Sequence, residues 1–304
     1  MKLLAAALVL LVLLSLNIGA GGADSTALML ELRLPRILAA LLVGAALGAA
    51  GLLMQTMTRN PLAEPGLLGV NSGAALGVVA GMAWGGAAAG AGYLAWALAG
   101  AAVGSACVLA VAHATLAGPL RLILAGLAIG ATFHGASSAI LLSAPSGYDL
   151  YRFWVLGSLS GVTLDMVRWA AMPIAAALAA ALLLARPLST LMLGEDMARA
   201  LGQRPAQLRL GVALVTTVLT GSAVALAGPV AFLGLLAPHL ARAAERGNLP
   251  RELLLSATMG AVLLLVADMC ARLVAQPFEA PLSVLTALAG APLLILIARR
   301  SLPP

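Results

Sequence analysis

Charges fall in short clusters along this chain, and the apolar runs between them have the lengths of membrane crossings. Between Arg36 and Arg59 lie 22 uncharged residues, close to the roughly 20 that a helix needs to span a hydrocarbon core. From Pro65 to Leu120, 56 residues pass without Lys, Arg, Asp or Glu, which suits two helices joined at the glycine-rich stretch Trp84 to Gly92. Read this way throughout, the chain predicts spans at Leu3–Ile18, Ile37–Met57, Gly66–Ala83, Tyr93–Leu116, Leu122–Leu142, Trp169–Ala185, Leu210–Leu226, Val230–Ala241, Leu253–Leu273 and Val284–Ala298. The two-residue alternation of a membrane β-barrel is missing. The expected fold class is an all-α membrane protein, a single transmembrane domain over residues 1–304 with about ten transmembrane helices.

Glycines shape two of these runs. Gly44, Gly48 and Gly51 recur at three- and four-residue spacing, which lets other helices approach that side closely. The second run, Leu210 to Ala241, holds only 32 residues for two spans and breaks at Gly228-Pro229. A turn buried within protein accounts for it, since irregular backbone survives at membrane depth only there. Residues 63–69 and 227–234 are loosely alike and are expected at opposite faces, a hint of an inverted repeat.

Charge sets the orientation. Twelve of the 17 basic residues fall in loops that ten spans place on one side: Lys2, Arg59, Arg121, Arg186, Arg199, Arg204, Arg209, Arg242, Arg246, Arg251, Arg299 and Arg300. By the positive-inside rule that side is the cytoplasm, with both termini in it. The first span is either a retained helix or a cleaved signal peptide with the small-residue run Gly19 to Ala23 behind it. In both cases Asp24 to Arg36 is delivered outside. Arg33, Arg36, Arg152, Arg168 and Arg272 remain at outer ends.

Composition agrees with the pattern, with 62% hydrophobic and 9% charged residues against about 25% charged in soluble domains. The net charge of +6 comes without basic aromatic patches, so nucleic acid is not an expected partner. A Walker A loop needs a lysine after glycine, and the only lysine is Lys2. His113, His134 and His239 lie on three different spans without metal-ligand spacing, Cys107 and Cys270 stand alone, and no GxSxG elbow occurs. A metal site and a catalytic centre are therefore not expected. A secondary transporter coupled to ions is the competing class. It would place ionisable groups at mid-membrane, but the one acid within the spans, Asp268, has Arg272 one helical turn away.

Particular motifs now identify a family. Arg33-Leu34-Pro35-Arg36, Met54-Gln55, Asn60 to Val70 (NPLAEPGLLGV), Phe232 to Arg242 (FLGLLAPHLAR) and Leu285 to Pro292 (LTALAGAP) resemble the FecCD permeases of ABC importers for iron chelates, haem and vitamin B12. The resemblance covers most of the chain and departs from the family in the first span and at Trp84 to Gly92. It implies the type II importer permease fold, working as a homodimer in the bacterial inner membrane. It also implies two cytoplasmic ATPase subunits that bind the ATP, and a periplasmic binding protein that selects the cargo. No cofactor is expected on this chain.

Site residues follow from the same motifs. Gly194, Glu195, Ala198, Arg199, Leu201 and Gly202 match the coupling loop (about 187–207) that docks on the ATPase, and their apolar spacing predicts a short amphipathic helix. A helix resting on lipid headgroups fits that spacing too. Asn60, Pro61 and Leu62 correspond to the cytoplasmic gate, closed when two such turns meet on the dimer axis; an ordinary turn with Leu62 tucked against its own subunit is the alternative. Arg33, Arg36 and Arg272 correspond to arginines that meet glutamates of the binding protein. Thr132, His134, Ser137 and Ser138 form a polar seam expected to line the pathway, and Ser146 to Trp154 an outer lip.

Overall fold

The computed structural model describes residues 2–17, 29–85, 90–114, 119–143, 151, 154–274 and 279–301. Among them lie eleven α-helices and no strand: α1 (Lys2–Asn17), α2 (Leu34–Thr58), α3 (Val70–Trp84), α4 (Gly90–Ala114), α5 (Pro119–Ser143), α6 (Leu164–Leu191), α7 (Glu195–Ala200), α8 (Pro205–Ala227), α9 (Leu233–Ala244), α10 (Leu249–Val274) and α11 (Leu282–Ser301). Ten of these correspond to the predicted spans, and α7 is the short helix expected outside the membrane. Six of the helical stretches are long and apolar enough to cross a membrane unaided. The outer lip expected at Ser146 to Trp154 lies mostly outside the described residues.

The apolar run after Arg36 becomes the hub. Every residue of α2 from Ala46 to Thr58 is buried, and α6, α8, α9 and α10 all pack on it. Its glycines make this possible. A methyl group on Gly44 would overlap the Gly260 carbonyl of α10, and one on Gly51 would overlap the Gly234 carbonyl of α9. Ser256 of α10 donates to the Gly48 carbonyl at 2.7 Å, so the contact is polar as well as close. Small residues thus replace the hydrophobic drive that lipid does not supply between helices.

Two breaks in the helices are buried. After α8 the chain turns at Gly228 (φ 71) with Ala227 and Val230 both buried. The freed Ala227 carbonyl accepts the Ser158 N–H at 2.9 Å, so an interior loop from another part of the chain satisfies the broken ladder. The second break is the 3₁₀ turn Pro65–Leu68 before α3. Here the structure corrects the expectation that residues 63–69 and 227–234 lie at opposite faces. The two turns touch: Pro65 lies against Gly234, and Glu64 accepts a hydrogen bond from the Phe232 N–H. The reason is length, because α9 has only 12 residues and begins beside the middle of α2 rather than at its end.

Candidate functional site: gate loop, coupling helix and a charge cluster

At one end of the bundle α2 stops at Thr58 and the motif Asn60 to Leu62 forms a tight turn. Asn60 holds it, accepting the Leu62 N–H on Oδ1 at 2.9 Å and the Ala63 N–H on its carbonyl at 3.1 Å. Such side-chain closure is the usual work of asparagine in turns. Ala63 is fully buried while Pro61 and Leu62 are exposed, Leu62 by 48%. About half of the Leu62 side chain is thus left uncovered by its own chain.

Beside this turn stands α7. Gly194 (φ 116) and Gly202 (φ 78) bracket it in conformations that side chains disfavour. Ala198 is buried and anchors the helix, while Leu193, Met197 and Leu201 are each more than half exposed. Glu195 bonds Arg199 at 3.0 Å and also accepts from Arg209 at the start of α8, and Arg199 reaches Asp196 at 3.0 Å. Arg209 and Arg199 hold the Glu195 carboxyl below its usual range. Charges bind the helix to its own scaffold and leave the apolar row facing outward.

Behind this turn, motifs that are far apart in sequence converge. Arg242 donates to Gln55 Oε1 at 2.6 Å, and Gln55 Nε2 donates to the Gly234 carbonyl at 3.3 Å. The Phe232 ring lies over Gly290, where an added Cβ would stand 2.8 Å from Phe232 Cγ. The sequence showed these motifs separately but not their contacts.

At the opposite end the three arginines of the docking expectation are engaged within the chain. Arg36 bonds Asp268 through Nε at 2.8 Å and grips Glu279 with both terminal nitrogens, at 2.6 and 3.0 Å. Arg272 pairs with Asp268 at 3.0 Å and donates to Ser15 of α1 at both its carbonyl and its hydroxyl. Arg33 donates to the Leu16 carbonyl at 2.6 Å. The Asp268–Arg272 pair read from the sequence is therefore part of a four-charge cluster, and Arg36 and Arg272 are mostly buried. Only a contact map reveals the roles of Arg36 and Glu279, 243 positions apart.

Thr132, His134 and Ser138 are exposed on α5 and Ser137 is buried. Each hydroxyl bonds back into the helix: Thr132 to the Ala128 carbonyl, Ser137 to that of Phe133 and Ser138 to that of His134. The seam is thus partly exposed and partly buried. Among the described residues no cluster of His, Cys, Asp and Glu could hold a metal.

A multi-helix membrane bundle with two buried helix breaks and a short exposed helix outside the long apolar runs is the architecture of a membrane transport subunit, and similarity to known proteins says which kind. The chain belongs to the FecCD transport family, whose pattern matches residues 3–300. It is 47% identical over 287 residues to the ferric enterobactin transport system permease protein FepD of Escherichia coli, covering 91% of this chain and 83% of that one. Its identity to FepG, another ferric enterobactin permease protein of the same organism, is 39% over 278 residues, covering 91% and 84%. A solved metal-chelate type ABC transporter in an inward-facing conformation superposes with a TM-score of 0.86 at 31% identity over 97% of each chain. The chain is an ABC permease subunit rather than an enzyme or an ion-coupled secondary transporter.

Proposed function

We propose that this chain carries a ferric siderophore across the bacterial inner membrane as one of two permease chains. Two cytoplasmic ATPase subunits bind and hydrolyse the ATP, and a periplasmic binding protein delivers the cargo. What supports the cargo is the 47% identity to FepD. What supports the ATPase contact is the exposed row of Met197 on α7 and Leu193 and Leu201 flanking it, with the helix held by its own ion pairs. That row lies on the arginine-rich end, which the positive-inside rule assigns to the cytoplasm together with both termini.

In this reading Asn60 to Leu62 is the cytoplasmic gate. The exposed Leu62 of each protomer would meet its counterpart on the axis as a dry constriction. The exposed residues Thr132, His134 and Ser138 of α5 line the path, and Arg33 orients the binding protein together with the outer surface of the charge cluster that holds Arg36 and Arg272. The two chains are copies of one another. FepD and FepG carry the same system name, so pairing with an unlike permease is the alternative.

The test is reconstitution in proteoliposomes with the binding protein and ATPase encoded alongside. Uptake of ferric enterobactin is expected to exceed that of haem or cobalamin. Preferred uptake of haem or cobalamin overturns the cargo, and transport that needs a second permease chain overturns the homodimer.

A further inference from the structure

The gate loop is tied at both ends. At its start Arg59 leaves α2 in a left-handed conformation (φ 52), with its N–H closing the helix on the Gln55 and Thr56 carbonyls. For a residue with a side chain, this conformation costs roughly 1–2 kcal/mol. The Arg59 guanidinium meanwhile donates to the carbonyl of Leu191, the last residue of α6. That same carbonyl accepts the N–H of Gly194, the residue that caps the start of α7, at 3.2 Å. Arg59 is therefore fastened to the pivot of the coupling helix, one position ahead of Asn60. At the far end Glu64 is held by the Phe232 N–H at 3.2 Å. Displacement of Arg59 against a fixed Glu64 falls on the four residues between them, Asn60 to the buried Ala63.

We propose that Arg59 is the positioning residue that transmits movement of α7 to the gate, with the Leu191 carbonyl as the joint. The proposal rests on the reading of α7 as the coupling helix and of Asn60 to Leu62 as the gate. The left-handed backbone closes α2 in the usual manner of a helix C-terminus, and the side chain adds a second tie, to α6. Here the side-chain bond and the backbone bend occur in one residue, and both point the start of the loop at the elbow between α6 and α7.

The experiment uses the full transporter in proteoliposomes, with Leu62→Cys introduced after Cys107 and Cys270 are removed. The readouts are the response of the Leu62→Cys cross-link to nucleotide, ATP hydrolysis, and chelate imported per ATP. With Arg59→Met, the cross-link yield is expected to lose its response to nucleotide. Import per ATP should fall by about ten-fold, within the usual range for coupling between two sites, while hydrolysis continues. Arg59→Lys keeps one donor for the Leu191 carbonyl and should recover part of both. Wild-type import per ATP in Arg59→Met overturns the proposal, and so does an equal loss of melting temperature, hydrolysis and import in both variants, the mark of a purely structural cap. If the cross-link fails to respond to nucleotide even with Arg59 present, the gate reading itself fails and takes the proposal with it.

Discussion

Glu64 accepts a hydrogen bond from the backbone N–H of Phe232 at 3.2 Å, across 168 positions of sequence. Phe232 is the residue before α9, has φ 64, and makes no side-chain cap of its own. The carboxylate therefore serves as the missing cap, from the turn that follows the gate. Glu64→Gln keeps an acceptor and is expected to retain folding and most transport. Glu64→Ala leaves a part-buried N–H without its partner, which costs about 1–3 kcal/mol. Thermal unfolding in detergent should separate the two, and equal melting temperatures would show that the bond stabilises nothing.

Close packing of α2 gives a second prediction. At Gly51 a Cβ meets backbone rather than a flexible side chain, so the helices must separate. Gly51→Val should destabilise by about 1–3 kcal/mol or more, the usual range for overpacking. Gly135 on α5 has nothing within 4 Å of an added Cβ. Gly135→Ala is the control, with an unchanged melting temperature expected.

Acid should loosen the coupling helix. The Glu195 carboxyl is depressed by its bond and charge contact with Arg209, with Arg199 adding to it. A depressed carboxyl stabilises fully above the ordinary carboxylate range and loses that contribution as pH falls through its lowered value. Import per ATP should therefore decline on the acid side of that range, and Glu195→Gln should flatten the decline. An identical pH profile in Glu195→Gln would remove this carboxyl from the effect.

Docking needs a variant that spares the charge cluster. Arg36→Glu places a third acid against Asp268 and Glu279, and loss of a partner from a buried pair costs about 3–5 kcal/mol. Misfolding is the expected result. Among the described residues Arg33 donates to the Leu16 carbonyl, outside that cluster. Arg33→Glu should fold and weaken stimulation by the binding protein most at low salt, where charges are least screened. Stimulation unchanged at every salt concentration would take Arg33 out of the docking surface.

The sequence by itself determined the class, the order of the long helices and the place of the short helix α7. Charge clusters and apolar lengths are local properties: Arg36 and Arg59 bound the apolar stretch of α2 because a charge is costly in hydrocarbon, whatever the rest of the chain does. Gly44 and Gly51 likewise announced close neighbours, without saying which. Tertiary structure decided the partners. Only the fold shows that Gly51 faces Gly234, that Gln55 holds Arg242, and that Arg36 is occupied by Asp268 and Glu279. It also brought together two turns that topology had placed at opposite faces, since a 12-residue α9 starts inside the bundle and carries Phe232 to Glu64. Helix length follows from neighbouring residues, but the depth at which a broken helix begins depends on which distant chain satisfies its freed backbone groups, and that is fixed only on packing.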